Sequence, residues 1–142
     1  MTTIACDGKS IAADSKTDMD GIPDTCRKLL RAKNGDILGF AGDTGSGMKF
    51  QKWYDSERVD SCDLGETCVL VLHPEGSMTL WDSTLFPMKV RRKFFAIGSG
   101  AQAAMAVMMS GGTARKAVEV ACKLDASSGG PVVEMKPKRA KP

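Results

Sequence analysis

The chain has 142 residues, of which 42% are hydrophobic and 26% charged, with a formal net charge of +3. These are the proportions of one globular domain, and 20 basic against 17 acidic residues is too even a balance for a surface built to grip nucleic acid. The longest apolar runs, such as residues 68–72, are strand-sized and far below the roughly 20 residues of a membrane helix. The first residues do not read as a secretion signal either, so a cytoplasmic protein is expected.

In chain order, Thr2 to Cys6 reads as a strand that turns at Asp7-Gly8, a hairpin pair, into a second strand at Ser10 to Asp14. Residues 17–25 hold Asp18, Asp20, Gly21, Pro23 and Asp24, which is loop chemistry. Arg27 to Ala32 and Ile37 to Ala41 form a second hairpin around Asn34-Gly35. A glycine-rich junction, Gly42 to Gly47, opens a helix expected over Met48 to Ser56. A third hairpin pairs Thr67 to Leu72 with Ser77 to Trp81 across a turn that contains His73, the single histidine. Lys93 to Ile97 is a further strand, ending at Gly98-Ser99-Gly100. Helices are expected over Ala101 to Met109 and Ala114 to Leu124, the second capped by Thr113 and the two separated by Gly111-Gly112. A last strand lies within Pro131 to Met135, before a basic tail over residues 136–142 that suits a solvated end. Strand pairs, a helix, strand pairs, two helices and a strand make an α+β domain over residues 1–135, with antiparallel sheets and helices on their outer faces.

The five cysteines, Cys6, Cys26, Cys62, Cys68 and Cys122, are odd in number and contain no C-x-x-C pair. They read as reduced, small apolar residues rather than a disulfide framework or a zinc site. The run Gly42 to Lys49 has the glycines of a phosphate loop, but Met48 stands where that motif needs lysine.

Five segments taken together resemble the proteasome β-subunit family and its bacterial relative, the HslV peptidase. They are Thr2-Thr3-Ile4, Ala12-Ala13-Asp14-Ser15, the stretch from Thr25-Cys26-Arg27-Lys28 to Phe40-Ala41-Gly42, Ile97-Gly98-Ser99-Gly100, and residues 125–130, Asp-Ala-Ser-Ser-Gly-Gly. The resemblance implies an N-terminal-nucleophile hydrolase with a four-layer αββα sandwich, its helices shortened here because residues 43–66 have room for one short helix and a loop. It implies a threonine peptidase in which Thr2, exposed by removal of Met1, is the nucleophile. The chemistry stands on its own terms. A threonine hydroxyl holds its proton too tightly at neutral pH, while an α-amine, with a pKa of about 8, can take it. Both groups on the first residue of a mature chain make nucleophile and base in one unit, with no histidine required.

Lys28, with Arg27 and Lys33 as neighbouring rivals, would place a positive charge beside Thr2 and favour its deprotonated forms. Asp14 would hold that lysine, or cap a turn. The resemblance implies that the Gly42 N–H receives the oxyanion and that Ser99, Asp125 and Ser128 support the Thr2 amine. Read without it, Gly42 is a strand-to-helix turn and the other three are helix-end residues. By position Thr17, Cys26, Phe40 and Thr44 shape the pocket for the side chain before the cut, and a phenylalanine there would favour medium apolar side chains. No cofactor is required, although the resemblance allows a sodium ion on the carbonyls of Cys122, Asp125 and Ser128. The partners it implies are further copies of the chain in a ring, an ATPase unfoldase, and peptide or unfolded-protein substrates. Two other functions fit the same residues: a catalytically silent binding subunit, and an amide hydrolase acting on a small molecule.

Overall fold

The computed structural model describes residues 2–138. Met1 and residues 139–142 lie outside the described residues, and with them the expected loss of Met1 and the end of the basic tail.

Two antiparallel sheets form the centre of the domain. In the first, β1 (Thr3–Cys6) pairs on one side with β2 (Ile11–Ala13) and on the other with β10 (Phe95–Gly98), and β11 (Val133–Met135) extends the sheet beyond β2. The β1–β2 turn closes because the Asp7 carboxylate accepts the N–H groups of Lys9 and Ser10 at 2.9 and 2.8 Å. The second sheet runs in the order β5 (Leu29–Arg31), β6 (Ile37–Ala41), β7 (Cys68–Leu72), β8 (Met78–Trp81) and β9 (Met88–Lys89). Helix α1 (Thr44–Tyr54) covers the outer face of the second sheet, and α2 (Ala101–Met109) and α3 (Ala114–Leu124) cover that of the first.

Side-chain alternation along each strand builds three apolar layers. Ile4 and Cys6 of β1 meet Leu29, Ile37, Leu70 and Leu72 between the sheets. Ala5, Ala12 and Ala96 face the other way, and their small size lets α2 and α3 approach through Ala104, Ala117 and Ala121. Leu38, Phe40, Val69 and Val71 pack outward against Phe50 and Tyr54 of α1. The result is the expected αββα sandwich.

Two local expectations give way. Residues 17–25 are not a loop but a hairpin, β3 (Lys16–Met19) with β4 (Ile22–Thr25), because Asp20 and Gly21 both take positive φ, 53° and 81°, as a tight two-residue turn requires. Helix α1 starts at Thr44 rather than Met48. The Asp43 side chain accepts the Ser46 N–H at 2.9 Å, and that cap outweighs the two glycines in the first turns. The short strand β9 carries no sequence signal, being two residues held by β8.

Candidate active site

The hairpin β1–β2 brings the chain start onto Asp14. The Asp14 N–H donates to the Thr3 carbonyl at 3.2 Å, and the Thr3 N–H returns to Asp14 Oδ1 at 2.9 Å. Asp14 is 1% exposed, and its carboxylate is fully engaged. Oδ1 also accepts Lys28 Nζ at 3.0 Å, while Oδ2 accepts the N–H groups of Gly129 and Lys16 at 3.1 and 3.3 Å. Lys28 itself is 5% exposed. A lysine and an aspartate this deeply buried are tolerated only as a pair with further donors around them. Of the three basic residues considered, Lys28 is thus the one held at the chain start.

Behind Thr2, the turn after β10 provides the second anchor. The Thr2 N–H donates to Ser99 Oγ at 3.2 Å. Ser99 Oγ and Ser128 Oγ each donate to Asp125 Oδ2 at 2.6 Å. The Ser99 hydroxyl also lies 3.3 Å from the Thr2 carbonyl, but it has one proton and the shorter bond to a charged acceptor takes it. Since Ser128 spends its proton on Asp125, the 2.7 Å contact between Thr3 Oγ1 and Ser128 Oγ is donated by Thr3. The Ser128 and Ser99 hydroxyls hold the Asp125 carboxyl below its usual range, so it is ionised at neutral pH. A continuous chain therefore runs from the Thr2 nitrogen through Ser99 to a carboxylate.

The third anchor is the end of β6. Gly42 has φ 139°, and a Cβ there would stand 2.5 Å from Thr67 Oγ1, the hydroxyl that accepts the Asp43 N–H at 3.1 Å. Only glycine fits. Gly98 is fixed in the same manner at φ 97°, since a Cβ would meet the Thr2 carbonyl oxygen at 2.0 Å. Glycine is thus needed both where the strand leaves for α1 and where it turns around Thr2.

These anchors enclose a narrow pocket of about 30 Å³, lined by Thr2, Lys16, Thr17, Cys26, Lys28, Phe40, Gly42 and Thr44. The residues expected for nucleophile, lysine, oxyanion donor and side-chain pocket share this one concavity. Asp14, Ser99, Asp125 and Ser128 sit behind it. Phe40 reaches its wall, yet the ring is 2% exposed and packs outward across Gly47 of α1, where a Cβ would lie 2.4 Å from it. Thr44 Oγ1 donates to Cys26 Sγ at 3.7 Å across the pocket. A larger groove of about 690 Å³ opens on the far side of Cys26 and Lys28, against Leu29, Pro131 and Val133.

Sequence reasoning missed Thr3 and Lys16. Both act through backbone N–H groups that hold Asp14, and backbone donors leave no mark on side-chain pattern. His73 is placed elsewhere, with Asp36 at 3.0 Å and Thr79 at 2.5 Å. It follows β7 at Leu72, which pairs with Ile37, whereas Gly42 follows the opposite end of β6. The length of that strand, about 16 Å, separates histidine from pocket. Among the described residues no cluster of three or more histidine, cysteine, aspartate or glutamate side chains is arranged to hold a metal, and no helix is long and apolar enough to cross a membrane.

The sequence matches no family model and no curated protein. Solved structures do match. Thiobacillus denitrificans BPH superposes with a TM-score of 0.71 at 18% identity, over 98% of this chain and 99% of that one. The same protein in complex with epoxomicin gives 0.70 at 17%, over 97% and 99%. Eukaryotic HslV from Trypanosoma brucei gives 0.68 at 19%, over 95% and 99%. The likeness runs from one end of the chain to the other, and the sandwich that positions Thr2, Lys28 and Gly42 is therefore the fold of BPH and HslV.

Proposed function

We propose that this chain is a threonine peptidase whose nucleophile is the Thr2 hydroxyl, freed to act once Met1 is removed. The observation that carries the reading is that Thr2, Lys28 and Gly42 line one pocket while Ser99 holds the Thr2 nitrogen. The Thr2 amine takes the proton of Oγ1 as that oxygen bonds to a peptide carbonyl carbon, and the carbonyl electron pair moves onto its oxygen, toward the Gly42 N–H. As the intermediate collapses, the C–N bond breaks, the leaving nitrogen takes the proton from the amine, and an ester remains on Thr2. Water then attacks the ester carbon and gives its proton to the amine. The ester C–O bond breaks, the alkoxide recovers the proton, and the acid product leaves. Lys28 favours the uncharged amine and the ionised hydroxyl throughout. A relative with the same fold that binds epoxomicin agrees with such a site.

The same reading includes assembly of copies into a ring with the pockets inside, service to an ATPase unfoldase, and a monovalent cation at the Cys122, Asp125 and Ser128 carbonyls. The Asp125 carbonyl already accepts the Ser128 N–H at 3.1 Å and keeps one lone pair for an ion. The test is hydrolysis of a mixed peptide pool, followed by mass spectrometry. Wild type and Thr2→Ser generate new C-termini, and Thr2→Ala falls at least 10³-fold. A Thr2→Ala protein that cuts as well as wild type removes the nucleophile from this account.

A further inference from the structure

The concavity beside Thr2 is very small, and its size bears on which bonds can be cut. Resting on the reading of Thr2 as nucleophile, we propose that the site cleaves after residues with small uncharged side chains (glycine, alanine and serine), with Cys26 and Thr44 setting the limit. A peptide whose carbonyl carbon lies within bonding reach of Thr2 Oγ1 carries the side chain of that residue one carbon away. The pocket that Thr2 itself lines is the concavity which that side chain meets. Its volume of about 30 Å³ has room for about two water molecules. A methyl or hydroxymethyl group fits such a space, and an isobutyl or benzyl group does not.

The walls explain why the space stays small. Phe40, the one aromatic residue at the pocket, is committed to the outer core, so its ring neither lines a deep apolar slot nor swings aside to make one. The Thr44 hydroxyl and Cys26 thiol close on each other at 3.7 Å. Of the two lysines at the pocket, Lys28 is paired with Asp14 at 3.0 Å, and Lys16 Nζ is drawn onto the Ala126 carbonyl at 2.8 Å. Thr17 and Thr44 offer hydroxyls that suit serine as well as alanine.

Cys26 has a second importance. Like Lys28, it lines both the small pocket and the groove of about 690 Å³ beyond it, so its side chain stands between the two. Trimming that side chain joins the pocket to a space large enough for leucine or phenylalanine.

The experiment compares two tripeptidyl epoxyketones that differ only in the residue next to the warhead, alanine or leucine, and follows adduct formation on the full-length protein by intact mass. On wild type the alanyl probe reacts at least tenfold faster. The double variant Cys26→Ala/Thr44→Ala raises the leucyl rate until the ratio narrows or inverts, and Cys26→Ser, which keeps the wall, retains the wild-type ratio. Leucyl labelling of wild type as fast as alanyl overturns the proposal and leaves the nucleophile standing. An unchanged ratio in the double variant overturns the assignment to Cys26 and Thr44. If neither probe labels, the reading of Thr2 itself has failed, and this inference falls with it.

Discussion

At the scale of single residues, Asp14 is the group on which most of the site depends. Its carboxylate accepts Lys28 and the backbone N–H groups of Thr3, Lys16 and Gly129. Replacing it with alanine strands four donors at once, one of them a buried ammonium. Replacing Lys28 with methionine leaves the carboxylate three amide donors. Urea denaturation is therefore expected to find Asp14→Ala destabilised by about 3–5 kcal/mol, and Lys28→Met by clearly less, although both lose peptidase activity. Acid titration tests two other carboxyls. Burial pushes Asp36 up, but hydrogen bonds from Tyr54, His73 and Asn34 outweigh it and hold its carboxyl below the usual range. Asp125 is likewise lowered, by Ser128 and then Ser99. A lowered folded-state pKa means stability that is complete above the unfolded value, about 3.9, and is lost as pH falls through the folded value. Thermal midpoints are expected to hold from pH 7 to about 5 and to drop below about 4, with a smaller drop in Asp36→Asn.

Among the elements, α1 and the hairpin β3–β4 depart furthest from what local sequence suggests. The cap of α1 rests on Asp43, so Asp43→Ala is expected to cost about 1 kcal/mol by chemical denaturation. Gly47→Ala drives a methyl into the Phe40 ring and is expected to cost about 1–3 kcal/mol, more than a helix propensity scale allows, since that scale favours alanine. The same contact explains why the start of α1 was illegible. Two glycines in one turn argue against helix, and only the ring lying across Gly47 makes them an advantage. The hairpin β3–β4 was hidden for the opposite reason. Met19 and Ile22 are exposed and its strands lie apart from both sheets, so no apolar face marks it, and the Asp20-Gly21 turn was its one signal. By contrast α2 and α3 were legible to the residue, bounded by Gly100, Gly111-Gly112 and the Thr113 cap.

The whole molecule is a stack in which strands serve two layers each. Ile4 and Cys6 of β1 enter the central core while Ala5 enters the α2–α3 layer, and β6 divides Ile37 from Leu38 and Phe40 in the same manner. No layer can melt without opening its neighbour. Trp53 and Trp81 both lie in the α1 layer, where their ring centroids are 5.5 Å apart. Their fluorescence reports that layer, and far-UV circular dichroism reports all of them, so the two thermal transitions are expected to coincide. A separate early tryptophan transition would mean that α1 is an independent unit. The α+β order could be read from the sequence because hairpin turns and glycines mark where chain segments meet, whereas the residues expected around Thr2 came from the resemblance to the proteasome and HslV peptidases. The pocket's size could not be read, since it depends on which side of β6 the Phe40 ring takes.

The central claim, that a free amine and hydroxyl on Thr2 form the reacting unit, is tested most directly by the intact mass of the purified protein with and without a small β-lactone. The account predicts a chain that has lost Met1 and gains a single acyl adduct, absent in Thr2→Ala and strongly slowed in Lys28→Met. A chain that keeps Met1, or an adduct that persists in Thr2→Ala, would contradict it.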